Sequence, residues 1–242
     1  YPEIIAKEKN GDLIPFGNRQ CNCFTSPSYK YFSEKMTRMI AQRYNNNPHV
    51  IGWQLDNEFW GPYCFCLSCE NSFKEYLEKK YKTIENLNNS YGTVFWSQCY
   101  RNFSELHLPR HPNSSPSLVL DYKRFHSENI VRFAKSQADI IRENCSGHFI
   151  THNMMGFSES VDYYKLGEIL DFVSFDYYYN FGKDNSWEER LIQYKYGAAS
   201  LDFMRSIKRS NFWIMENSIS SNGWETFGRE LRGNELRRMT YQ

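Results

Sequence analysis

The chain has 242 residues, which suits one large domain, since barrels commonly reach ~250 residues as a single unit. Lys plus Arg number 29 and Asp plus Glu 28, a net charge of +1 that argues against a nucleic-acid groove or an acidic-membrane binder. Hydrophobic residues at 40% and charged residues at 24% fit a globular chain, and the lack of an apolar run of ~18 residues excludes a transmembrane helix. Aromatic residues reach 17%. That figure suits an aromatic-rich core as well as a surface that receives the apolar faces of sugar rings.

Position 1 is Tyr, not Met, and no signal-peptide pattern opens the chain. The last residues read as a helix that is just starting, so both ends are expected to be cut. Residues 1–27 are loop-like, with Gly11, Pro15 and Gly17. Residues 28–46 carry Tyr31, Met36, Met39, Ile40 and Tyr44 near helical spacing, and Asn45-Asn46-Asn47-Pro48 stops that helix. Val50 to Asp56 reads as a buried strand, residues 61–69 as a Cys-rich loop, and residues 70–82 as a helix with Phe73, Tyr76, Leu77 and Tyr81 on one face. Residues 88–120 read as irregular. A long helix is predicted from about Asp121 to Asn144, then a strand at Phe149–Met154, a helix at Val161–Leu170, a strand at Phe172–Tyr178, a helix at Trp187–Ile207 and a strand at Phe212–Glu216.

Strands that alternate with helices in this way imply a parallel sheet with helices on its faces. A (β/α)8 barrel needs eight such units, and the sequence supplies four strands, so the pattern fits a small open α/β sheet or part of a barrel.

Three features carry chemistry. The first is Gly52-Trp53-Gln54-Leu55-Asp56-Asn57-Glu58, where an acid follows the end of an apolar strand. In parallel α/β folds the C-terminal strand ends hold the catalytic groups, and cleavage of a glycosidic bond needs a carboxylic acid to protonate the leaving oxygen. A Glu there can also simply open a helix. The second is Phe212-Trp213-Ile214-Met215-Glu216-Asn217, which delivers a second Glu at a strand end. Two such carboxylates ~5–5.5 Å apart would act as nucleophile and acid/base of a retaining glycosidase, and the pair is more specific than either half.

The third feature is Cys64-Phe65-Cys66-Leu67-Ser68-Cys69. Three thiols in so short a run suit tetrahedral zinc, with Cys23 or Cys21 as the fourth ligand; disulfides are the competing reading. Four filled positions would make the site closed and structural. His152, Asn153, Asp176 and Tyr178 stand at strand ends, where they are either substrate contacts or caps. His107, His111, His126 and His148 lack metal-ligand spacing and are expected at the surface, and Cys99 and Cys145 are expected to be isolated thiols.

The chain resembles glycoside hydrolase family 42, the β-galactosidases. The resemblance rests on Tyr1-Pro2-Glu3-Ile4, Phe16-Gly17-Asn18-Arg19, Thr25-Ser26-Pro27, Asp56-Asn57-Glu58-Phe59, the Cys cluster, Tyr91-Gly92-Thr93-Val94-Phe95-Trp96-Ser97-Gln98 and Phe212-Trp213-Ile214-Met215-Glu216. It implies a (β/α)8 TIM barrel that removes terminal β-D-galactosyl groups with retention. It places this chain, residues 1–242, as an incomplete piece spanning roughly strands 4 to 7, which by itself is expected to be inactive. It implies Glu58 as proton donor and base and Glu216 as nucleophile. Arg19, Asn57, Trp96, Tyr178 and Trp224 are implied as substrate-binding residues, and Cys23, Cys64, Cys66 and Cys69 as ligands of a structural zinc. No organic cofactor, nucleic acid or membrane is implied. A homotrimer is implied for the full-length protein, and reduced, zinc-bound cysteines point to the cytoplasm. After Glu216 the family often shows Gln-x-Pro; here Asn217-Ser218-Ile219 stands instead, which bears on fine specificity.

Two alternatives stay open. The same mechanism could act on an α-L-arabinopyranoside or a β-D-fucoside, which differ from galactose only around C5 and C6. Otherwise the chain is a zinc-stapled module that binds a sugar or a partner without chemistry. The distance between the Glu58 and Glu216 carboxylates separates this last reading from the catalytic ones.

Overall fold

The structure is a computed structural model that describes residues 1–17, 19–178, 187–217, 234 and 237. It divides into two compact units, one of residues 1–46, 59–146 and 159–162, the other of residues 47–58, 147–158 and 163–242.

The first unit is helical. Helix α1, Pro27–Tyr44, starts where Ser26 accepts a hydrogen bond from the Tyr29 N–H at 3.4 Å and Pro27 takes the first turn. Helix α2, Leu67–Tyr81, is capped by the Cys66 sulfur. Helix α3, Ile84–Tyr91, is capped by Thr83 and stopped by Gly92, whose φ of 63° is the left-handed value a helix end often needs. Helix α4, Pro116–Asn144, is 29 residues long. It begins five residues before the expected Asp121, because Ser115-Pro116 is itself a cap and first-turn pair. Helix α3 falls partly in a stretch read as irregular; its run of Asn and Ser hides one short amphipathic face that buries only Leu87.

The core of this unit joins Phe65, Phe73, Leu77, Leu87, Leu106, Tyr122 and Phe125. Tyr29 of α1 stacks on Phe133 of α4 with centroids 5.1 Å apart. Asp121 of α4, 1% exposed, is anchored by Lys80 and by the hydroxyls of Tyr81 and Tyr91 at 2.7 and 2.8 Å. That one carboxylate ties together the ends of α2, α3 and α4.

The second unit holds the strands. Strand β1, Gly52–Gln54, pairs in parallel with β2, Phe149–Thr151. Strand β3, Asn153–Met154, pairs in parallel with β4, Ser174–Tyr177, and β4 with β5, Trp213–Asn217. The single strand expected over 149–154 is thus broken at His152, with β2 serving one neighbour and β3 another. Hydrogen bonds cross the break: the Ser174 hydroxyl donates to the His152 carbonyl at 2.9 Å, and the Leu55 N–H donates to the Thr151 carbonyl at 2.9 Å. Helix α5, Tyr163–Gly167, packs on helix α6, Trp187–Lys208. The architecture is α/β with parallel strands, as expected. No helix among the described residues is long and apolar enough to cross a membrane.

Candidate active site

The strand ends of the second unit converge. After β1 the chain makes a tight bend, with left-handed φ at Asp56 (47°) and Glu58 (42°). Non-glycine residues adopt that region at a cost, and such strain concentrates at functional sites. The bend is held at both ends: the Asn57 N–H donates to Asp56 Oδ1 at 2.8 Å, and the Glu58 N–H donates to Asn153 Oδ1 at 3.0 Å. Across the sheet, a bulge between Phe175 and Asp176 shifts the register so that Asp176 lies beside Glu216. Bulges re-aim side chains in this way.

The carboxylate oxygens of Glu58, Asp176 and Glu216 therefore lie within 4.8 Å of one another. Asn153 sits at the centre of the group and is fully buried. Its amide nitrogen lies 2.9 Å from Asn57 Oδ1, 2.6 Å from Asp176 Oδ2 and 3.3 Å from Glu216 Oε1. Two N–H bonds serve three acceptors, so one is shared. Asn57 in turn donates to Glu58 Oε2 at 3.3 Å, and the Tyr178 hydroxyl donates to Glu216 Oε2.

Burial pushes the Asp176 carboxyl up to about 7, against the lowering effect of Asn153; the nearby charges of Glu216 and Glu58 and a hydrogen bond to Glu58 add to the rise. The Tyr178 phenol is raised by burial and by its bond to Glu216, so it remains a donor at neutral pH. A cavity of about 190 Å³ opens beside the group, lined by Glu58, Asp176, Tyr177, Tyr178, Tyr196 and Ser200. Gly197 of α6 lets Tyr177 lie close, since a Cβ there would collide with the Tyr177 hydroxyl.

The structure thus brings together four of the expected residues: Asn57, Glu58, Tyr178 and Glu216. Arg19 and Trp96 belong to the first unit. Arg19 stands exposed in a turn, and Trp96, 78% exposed, stacks on Phe95 with centroids 4.6 Å apart. Trp224 lies outside the described residues. Asn153 and Asp176 stood among the weaker strand-end candidates and prove to be the centre of the network. His152 is fully buried and its Nδ1–H donates to the Leu55 carbonyl 2.7 Å away, so it anchors the sheet. Burial lowers its imidazole to about 4, which keeps it neutral. His126, expected at the surface, is 6% exposed and meets the Trp60 carbonyl at 3.1 Å; its helical position on the Phe125–Phe133 face was the available signal.

The cysteine cluster lies in the first unit. Cys23, Cys64, Cys66 and Cys69 present their sulfur atoms within 4.8 Å of one another, with Cys23 Sγ 3.8 Å from Cys66 Sγ and 3.5 Å from Cys69 Sγ. Tetrahedral zinc with Zn–S bonds of ~2.3 Å needs sulfurs about 3.8 Å apart, so the spacing fits. All seven cysteines are free thiols, and Cys21 stays outside the group, its sulfur turned toward Asn22. Cys66 is lowered by hydrogen bonds from the Cys23, Cys64 and Cys69 thiols, and by the Cys69 N–H at 3.4 Å. Thr25 Oγ1 lies 3.0 Å from both Cys23 Sγ and Cys69 Sγ, and the Lys7 N–H donates to Cys64 Sγ at 3.4 Å. Such outer contacts are typical of ligands held for a metal. The four residues could hold a metal such as zinc.

With this geometry in view, the family model for glycoside hydrolase family 42, described as "Beta-galactosidase", matches residues 1–242. The chain belongs to that family. It is 37% identical over 241 residues to the β-galactosidase BgaA of a Thermus species, covering 93% of this chain and 37% of that one. It is 36% identical over 245 residues to the β-galactosidase BgaA of Clostridium cellulovorans, covering 100% and 37%. Among solved structures, the β-galactosidase of the psychrophilic Marinomonas ef1 superposes with a TM-score of 0.90 at 32% identity, covering 99% of this chain and 39% of that one. The chain thus spans less than two-fifths of the length of these family members.

Proposed function

We propose that the protein is a retaining glycoside hydrolase that removes terminal non-reducing β-D-galactosyl groups. The observation that carries the reading is the approach of the Glu58 and Glu216 carboxylate oxygens to within 4.8 Å. Retaining enzymes hold their two carboxyl groups ~5–5.5 Å apart, whereas inverting enzymes leave ~6.5–9.5 Å for a water. The family and its members named β-galactosidase support the choice of sugar.

In this reading Glu216 attacks the anomeric carbon. The Tyr178 hydroxyl and the Asn153 amide hold its two oxygens in place. Glu58 gives a proton to the departing oxygen, then takes one from water as that water displaces Glu216. Asn57, beside Glu58, is positioned for a sugar hydroxyl, and Tyr178 also faces the cavity. Arg19, Trp96 and Trp224 complete the proposed substrate contacts. The chain would supply the fourth to seventh strands of a (β/α)8 barrel. A zinc on Cys23, Cys64, Cys66 and Cys69 would be structural, because all four positions come from the protein. Free thiols in a metal-type group suit a reducing compartment such as the cytoplasm.

The test is hydrolysis of nitrophenyl β-D-galactoside by the full-length protein, followed by NMR. β-Galactose is expected as the first-formed anomer. α-Galactose first, or no turnover beside ready cleavage of another glycoside, would overturn the proposal.

A further inference from the structure

The two-glutamate mechanism leaves one member of the cluster without a task. Asp176 is 5% exposed, and its Oδ2 accepts from Asn153 at 2.6 Å. Among the described residues no donor reaches its other oxygen, Oδ1, which is buried, and the carboxyl group lies beside the two glutamates. A buried carboxylate oxygen without a donor is costly, because desolvation of the charge is uncompensated. Three ionised carboxylates within 4.8 Å would add mutual repulsion. One proton on the cluster removes both costs: a carboxyl O–H at Oδ1 turns the orphan acceptor into a donor toward Glu58.

We propose that Asp176 is a positioning residue that shares one proton with Glu58, so that the proton needed for glycoside cleavage is stored between two carboxyl groups. This rests on the proposed role of Glu58 as acid. The other titratable groups facing Asp176 are Glu216, Tyr178 and Tyr163, the last a buried phenol raised to about 12. Neither phenol gives up its proton near neutrality, so the carboxyls alone share the charge.

The charge balance is simple. Three carboxyl groups with one proton carry a charge of −2. When Glu216 bonds to the anomeric carbon it loses its charge, and the stored proton leaves on the departing alcohol. The cluster stays at −2, now on Glu58 and Asp176. Water then supplies hydroxide to the carbon and returns its proton to the pair, while Glu216 leaves as carboxylate. The cluster's charge is the same before and after each step; Asp176 gives the stored proton a second carboxyl host, in line with the rise of its own carboxyl to about 7.

The test is Asp176→Asn in the full-length protein. Asn keeps the shape, can still accept from Asn153 and can donate to Glu58, so a purely structural role predicts an unchanged pH profile. Under the proposal the alkaline limb of kcat/KM moves down by about one pH unit, because the stored proton loses one of its two carboxyl hosts. The loss should be about tenfold larger on an alkyl galactoside than on dinitrophenyl galactoside, whose leaving group needs little acid. A limb that stays in place, or equal losses on both substrates, would overturn the inference. NMR of the unsubstituted protein with carboxyl-labelled aspartate reads the proton without turnover. An aspartate signal titrating near neutrality is expected, and its absence sinks the proposal even if the variant misfolds. If the protein cleaves no galactoside yet that signal is present, the proposed activity fails and the shared proton stands.

Discussion

The molecule gathers like groups at two places, and it does so by opposite means. In the first unit, three of the four clustered thiols come from the six-residue run Cys64–Cys69, and the fourth, Cys23, arrives from an earlier loop. In the second unit, three carboxylates come from the ends of β1, β4 and β5, some 40 to 160 residues apart in sequence. The thiol group is locally encoded and suits a cation that neutralises it. The carboxylate group is assembled only by parallel strand pairing, and its repulsion is managed by Asn153, Tyr178 and the protonation of Asp176. In the proposed roles, one cluster would hold a metal, and the other would hold a proton that the reaction passes on and recovers.

Removing the reactive charges should have the largest effect. Glu216→Ala is expected to lower kcat by at least ~10⁴. Glu58→Ala should cost ~10²–10⁴ on substrates that need acid help. Azide distinguishes the roles: with an activated galactoside, Glu58→Ala should give β-galactosyl azide and Glu216→Ala the α-anomer. Exchanged products would swap the two assignments and with them the account of Asp176.

On the thiol side, Cys69→Ser should remove the metal, with zinc content by mass spectrometry falling from about one per chain toward zero. A disulfide between any two of the four cysteines would contradict the site. A second buried carboxylate sharpens the contrast, because Asp121 is fully provided with donors. Burial alone would raise it, yet Lys80, Tyr81 and Tyr91 hold it below the usual carboxylate range. Its contribution to stability is thus present above the unfolded value of ~3.9 and lost as pH falls through its lowered folded value. Asp121→Ala should destabilise the protein by about 3–5 kcal/mol in urea unfolding at pH 7, since Lys80 and two half-buried phenols lose their shared buried acceptor. A change below about 1 kcal/mol would show that the network is ornamental to the fold.

Smaller effects should come from the outer contacts. Gly197→Ala should cost about 1–3 kcal/mol by forcing Tyr177 away from α6, seen as a lower thermal midpoint. Thr25→Val should weaken metal retention about 10- to 100-fold in a chelator competition, because its hydroxyl touches two of the four sulfurs. Retention equal to the unsubstituted protein would mean the sulfurs need no outer support.

The sequence by itself determined the elements with strong local signals. Apolar periodicity set α1, α2, α4 and α6 to within a few residues, except where Ser115-Pro116 started α4 early. The spacing of Cys64, Cys66 and Cys69 announced a metal-type loop, and the apolar runs ending near Glu58 and Glu216 announced strand-end acids. Short helix α3 escaped because one buried Leu makes a weak period. Spacing alone left Cys23 and Cys21 open as the fourth thiol; the family resemblance implied Cys23, and the tertiary structure brings Cys23 into the group while Cys21 turns toward Asn22. Likewise only strand pairing could show that the sheet switches partners at His152, which buries that imidazole and aims the next side chain, Asn153, at three acidic or amide neighbours. Local periodicity carries information about which face of an element is buried. Register between strands does not appear in any one segment, so the company kept by Asp176 was beyond the reach of sequence alone.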